Sequence, residues 1–189
     1  MGTTGDSVAF ARNILNGISV SPQFVFYSTN TLRTRSNSTV AQSIVNDTGS
    51  FGASTIPANF VQQGTIIEVK GVGYLTTDSV LPTLLITLLW GNTTIATSGA
   101  VTFLSQISTA KMWEYNAVLR FVSSGASGSV ITSQALWLND LNNNSFGSSP
   151  GAITVDTTVT SLIDIKAQWS AASANNSITG SQWWFTVSQ

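Results

Sequence analysis

Period two runs through this chain in stretches that only strands can use. From Ser161 to Ser170, Ile163, Ile165, Ala167 and Trp169 fall on one side, and Leu162, Asp164, Lys166 and Gln168 on the other. From Trp113 to Val122, Trp113, Tyr115, Ala117, Leu119 and Phe121 alternate with Glu114, Asn116, Val118, Arg120 and Val122. Successive side chains of a pleated strand point to opposite faces, so each stretch has one face to bury. Val130 to Leu138 and Ile178 to Val187 are further strands, the last ending in Trp183-Trp184-Phe185. A lone pair of strands is not stable in water, so a second sheet must cover the apolar side.

The rest of the chain is read the same way. Gln23 to Tyr27, Thr39 to Asn46, Thr65 to Tyr74, Thr94 to Thr97 and Ala152 to Val155 are extended segments. Leu84 to Trp90 is apolar on both faces, the mark of a strand covered twice. Gly71 and Gly73 point to a bulge or a close backbone approach. Thr29 to Ser38 and Asn139 to Gly151 are polar and read as loops. The sum is an all-β jelly-roll sandwich of about eight or nine antiparallel strands, with turn signals every 8–12 residues or so. Near the N-terminus, Val8, Ala11, Leu15 and Ile18 recur at helical spacing with Phe10 and Ile14, predicting a short helix that ends at Asn16-Gly17. Residues 1–54 are therefore read as an extension with a short helix and added strands, and 55–189 as the jelly-roll domain. That helix packs either on its own domain or on a neighbouring subunit.

Composition narrows function. Only 8% of residues are charged, against roughly 25% in ordinary soluble domains. Such a surface resists association weakly and suits permanent assembly. With seven Lys and Arg, a net charge of −1 and one close basic pair, Arg33 with Arg35, the chain lacks the clustered cations that nucleic-acid binding needs. No apolar run approaches the roughly 20 residues of a membrane helix. Nor does the N-terminus read as a signal peptide. With no His and no Cys, the commonest general base, the thiol nucleophile and the soft metal ligands are missing.

Three constellations remain. Glu68 and Glu114 are the only glutamates and lie on strands; a glycosidase would need them to face each other, whereas the plainer reading pairs them with Lys70 or Arg120. Asp140, Asn142 and Asn144 set oxygen-bearing side chains at alternate positions, as in some calcium loops, and equally as in self-bonded Asx turns. Of the six tryptophans, Trp169 sits on a buried face, whereas Trp183 and Trp184 must point oppositely. Trp184 and Trp137 are the candidates for a ligand platform, a subunit contact or a packed loop. No catalytic residue and no cofactor is expected.

Ile56-Pro-Ala-Asn-Phe60, Gly64 with the strand to Gly71-Val-Gly73, the hairpin from Leu89 to Ala100, Trp113, Asp156-Thr-Thr158 and Asp164 to Thr179 occur in the order of a known family. From about Ile56 to Val187 the chain resembles single jelly-roll virion structural proteins of tailed bacteriophages. The resemblance implies a TNF-like jelly roll, trimeric and non-enzymatic, of head-decoration, head-fibre or tail type. Residues 1–54 carry no part of it. The expected function is therefore a virion structural trimer that partners itself and other capsid or tail proteins. Its interface is expected at Phe10, Ile14, Leu15, Ile18, Leu84, Ile86, Leu88 and Trp90. Two alternatives stand beside it: a carbohydrate- or receptor-binding jelly roll with a host glycan as partner, and a major capsid jelly-roll subunit.

Overall fold

A computed structural model describes residues 23–29, 32–45, 54–138, 144–148 and 151–189. Among them the chain forms strands and no helix. In order these are β1 (Gln23–Thr29), β2 (Arg33–Ser36), β3 (Gln42–Ser43), β4 (Thr55–Ile56), β5 (Ile66–Thr76), β6 (Leu84–Trp90) and β7 (Thr93–Val101). After them come β8 (Lys111–Ser123), β9 (Gly128–Leu138), β10 (Asn144–Ser148), β11 (Ile153–Val155), β12 (Ser161–Trp169) and β13 (Ser177–Ser188).

Two antiparallel sheets result. The larger runs β1-β13-β5-β8-β9-β10, with β2 also on β13 and β11 also on β9. The smaller runs β3-β12-β6-β7, with β4 also on β12. The chain changes sheet between β2 and β3, β4 and β5, β5 and β6, β7 and β8, β11 and β12, and β12 and β13. The pairs β1–β2, β3–β4 and β6–β7 and the run from β8 to β11 stay within one sheet. The last strand thus returns to lie beside the first, which is jelly-roll connectivity. Strands β9 to β11 extend the larger sheet beyond β8. Strands β1 to β4 sit on the edges of both sheets, each paired with β12 or β13.

The sheets close on the faces that the alternation marks. Trp113, Tyr115, Ala117, Leu119 and Phe121 of β8 are all buried, as are Ile163, Ile165, Ala167 and Trp169 of β12. Trp90 of β6 meets Phe121 of β8 across the sandwich at 5.1 Å between ring centres. Trp183 lies 5.5 Å from Trp113 and 6.0 Å from Tyr115. Room for these indoles comes from glycine. A Cβ on Gly73 would lie 2.6 Å from the Trp113 ring and overlap the Thr179 carbonyl, and one on Gly71 would run into the Trp183 ring. The close-approach reading of Gly71 and Gly73 is the one the structure supports.

Several expectations need correction. Among the described residues thirteen strand segments pair, more than the eight or nine expected, because short polar edge segments also pair. Thr29 to Ser38 is not all loop: β2 lies within it, zipped to β13 from Arg33 opposite Gly180 to Ser36 opposite Ser177. Thr34 Oγ1 meets Thr179 Oγ1 at 2.8 Å, and Arg35 Nε donates to the Ser43 carbonyl at 2.7 Å. Backbone pairing and polar side chains satisfy such an edge without an apolar pattern. The segment 139–151 likewise contains β10, and the strand expected at Thr39 to Asn46 shrinks to Gln42–Ser43. Leu84, Ile86, Leu88 and Trp90, expected at a subunit interface, point into their own core with at most 3% exposure. The pleat turns Leu85 and Thr87 outward instead, while Leu89 is also buried. Phe10, Ile14, Leu15, Ile18 and the expected helix lie outside the described residues.

Candidate functional site: the outer face of the larger sheet

The outer face of the larger sheet is built from the alternate positions of four long strands. One row across it runs Trp184 (β13), Lys70 (β5), Asn116 (β8) and Ala135 (β9). The next row runs Gln182, Val72, Glu114 and Trp137; on the other side it runs Thr186, Glu68, Val118 and Ser133. Trp184 and Trp137, singled out from sequence, therefore share one face. Three strand spacings separate them, about 14 Å. Both are half-buried. Neighbouring Trp183 is fully buried, so the opposite orientation expected for that pair holds.

Beyond the tryptophans, the face exposes large apolar groups at its two ends. Tyr74 and Met112 are paired in register and remain 49% and 47% exposed. Val122 and Ile131 mark the other end, at 39% and 42%. Alternation puts Val122 on the same side of β8 as Arg120, and the register sets Ile131 opposite Arg120 at that end.

Charge on this face is sparse and its carboxylates are placed unlike a catalytic pair. Glu68 lies 3.5 Å from Lys70, the plainer of the two sequence readings. Glu68 and Glu114 stand one strand and four residues apart, since Glu68 faces Val118 and Glu114 faces Val72. That is about 13 Å along the strand alone, beyond the roughly 5–9.5 Å that glycoside hydrolysis requires. Elsewhere, two aspartates serve loops. Asp78 accepts from the Ser173 hydroxyl and from the Ser79 amide, and these bonds hold its carboxyl below the ordinary value. Asp156 accepts from the Thr158 hydroxyl at 2.6 Å and its amide at 2.8 Å, with the same result. Tyr115, deep in the core, donates to Gln134 Oε1 at 2.6 Å, and burial pushes its phenol up. Asp140 and Asn142 of the calcium candidate lie outside the described residues, and Asn144 opens β10. Among the described residues no three acidic side chains gather as a metal would need.

The face has one hollow of note. A pocket of about 230 Å³ is lined by Asn116, Ala117, Val118, Ser133, Gln134, Ala135 and Trp137. By alternation, Asn116, Val118, Ser133, Ala135 and Trp137 present side chains to it from the outer face. The Asn116 Oδ1 atom is buried yet accepts no hydrogen bond. Sequence reasoning found Trp137 but not Asn116 or Ser133. The three meet only through the β8–β9 register, in which Asn116 faces Ala135 and Val118 faces Ser133.

No family model and no curated protein matches the chain. Among solved structures it is similar to the CBM2 module of the evolved Dit of Lactobacillus casei BL23 phage J-1. Identity there is 15%, covering 88% of this chain and 96% of that one, with a TM-score of 0.34. It is also similar to peanut lectin bound to a nine-residue peptide, at 10% identity, 89% and 97% coverage and a TM-score of 0.37. The metal-free lectin I-B4 of Griffonia simplicifolia gives 11%, 88% and 99%, and 0.37.

Proposed function

We propose that the protein is a non-enzymatic structural subunit of a bacteriophage virion, assembled through its jelly roll into a homo-trimer. One observation carries this reading: the larger sheet is buried on its inner side and exposes an apolar pair at one end of its outer side. Its inner side is covered by the smaller sheet. Its outer side presents Tyr74 beside Met112 at one end, with Val72 one row further in. Exposed apolar groups side by side in this way are surface that a contact would cover. A sister copy suits it, because contact cores are poor in charge and the whole chain is 8% charged. Closed rotational symmetry buries the same patch in every copy. The threefold number and the virion follow the sequence resemblance. Its motifs fall on the entry to β5, the β6–β7 hairpin, and β12 with the start of β13.

Light scattering coupled to size exclusion tests this. The expected mass is about 60 kDa, three times the 19.9 kDa of one chain. Replacing Tyr74 and Met112 together by Glu should yield folded monomer, with far-ultraviolet circular dichroism unchanged. A folded wild-type monomer would overturn assembly; a variant that stays trimeric would move the contact off this face.

A further inference from the structure

Four connections cross from sheet to sheet at one end of the sandwich: 37–41, 77–83, 102–110 and 170–176. The pairings gather them there, since Ser177 lies between Ser36 and Thr76, Leu75 faces Lys111, and Leu84 lies between Val101 and Trp169. Among the described residues, the three large apolar side chains that water reaches most all stand on these loops: Leu104 at 76%, Val80 at 70% and Val40 at 69%. Single apolar residues scattered over a surface are ordinary; three on adjoining loops are not scattered. The loops are also held in place. Thr77 donates its amide to the Ile107 carbonyl, and the Ile107 amide donates to Thr77 Oγ1 at 2.9 Å. Asn176 is fully buried and pins three of the loops together. Its Oδ1 accepts from the Asp78 amide at 2.8 Å, its Nδ2 donates to the Ala171 carbonyl at 2.9 Å, and its own carbonyl accepts from the Asn37 amide at 3.2 Å. Leu81 sits in the left-handed region at φ 51°, a conformation that a leucine keeps only where its surroundings impose it. It packs against the core while Val80 beside it is turned out.

We infer that this loop end is part of the contact between copies of the chain, continuing the Tyr74–Met112 pair around the end of the larger sheet, a step that rests on the proposed assembly. Continuity favours a second copy as the occupant. Tyr74 leads into the connection that carries Val80, and Met112 follows the connection that carries Leu104, so sheet face and loop tips adjoin. Charge favours it too. Asp78 is the one charged residue in the four connections, and its carboxylate is already engaged by Ser173 and Ser79. A partner held by ion pairs finds nothing to grip here, whereas another copy of a chain that is 8% charged matches this surface. Because the loops are ordered beforehand, little conformational freedom is lost when they are covered.

The chain has no cysteine, so one can be placed as a reporter. Val80→Cys, Leu104→Cys and Val159→Cys, made singly in the full chain, are labelled with a maleimide while light scattering gives the mass. Val159 lies at the opposite end of the sandwich and is 50% exposed. In a subunit alone, greater exposure puts the two loop-end reporters ahead of Val159→Cys. In the trimer they should fall about tenfold behind it, as groups covered except during brief opening. Val80→Glu combined with Leu104→Glu should shift the mass towards the 19.9 kDa of one chain at concentrations where the unaltered protein is trimeric. If that variant unfolds, the labelling order decides alone. A trimer whose reporters label in the order of single-chain exposure would overturn this end as a contact and leave the assembly standing. A folded monomer at every concentration would overturn both.

Discussion

Trp183 and Trp184 are neighbours on one strand and face different physical problems. Trp183 is fully buried, wedged between Trp113 and Tyr115 over a floor of glycine. Trp184 lies on the outer face beside Lys70, half-covered. On the inner face of the larger sheet, shape decides: an added Cβ at Gly71 or Gly73 has nowhere to go. On the outer face, composition decides: Tyr74 and Met112 stand about half exposed and Trp137 is half-buried. Stability therefore concentrates on one side of a single sheet, and exposed side chains on the other.

The sharpest way to break this contrast is to truncate both indoles. Trp183→Ala should cost about 3–5 kcal/mol in denaturant unfolding, through lost burial and a cavity ringed by fixed backbone. Trp184→Ala should cost less than about 1 kcal/mol. Equal losses would mean that the outer face is as much core as the inner. A smaller effect comes from filling space. Gly73→Ala should destabilise by about 1–3 kcal/mol, because the new methyl meets the Thr179 carbonyl and the Trp113 ring. Val72→Ala, one residue away and facing out, should cost under about 1 kcal/mol on the same thermal melt. The smallest effect lies at the rim. The Thr158 hydroxyl is the chief reason that the Asp156 carboxyl titrates below its ordinary 3.8. A depressed folded value stabilises above the ordinary one, and that stabilisation is lost as pH falls through the folded value. Wild type should therefore melt slightly above Thr158→Ala at neutral pH, and the gap should close once pH drops well below 3.8.

How much of this was legible beforehand depends on what each strand asks of its residues. The long strands were readable because burial of one face forces alternation, as in β8 and β12. Strands β2 and β10 were not. A polar edge is held by main-chain pairing with β13 or β9, and this leaves no periodic mark in Arg33–Ser36 or Asn144–Ser148. Leu84 to Trp90 is apolar on both faces, and the structure turns Leu84, Ile86, Leu88 and Trp90 inward. Alternation separates two faces without saying which is inside. The pocket was half visible. Trp137 stood out as a large aromatic on a strand, whereas Asn116 is one of many asparagines until the β8–β9 register sets it diagonal to that indole.

The position of β13 has a consequence for how the protein is made. It lies between β1 and β5 and also holds β2, so Ser177–Ser188 is a keystone and not a trailing edge. On the ribosome, the large sheet must wait open until those twelve residues have left the exit tunnel, with the tryptophan cluster exposed meanwhile. A nascent chain cut short before Ser177 lacks the strand that joins its beginning to its middle. Such fragments offer proteases an unclosed sheet, and only chains translated through Ser188 can close it.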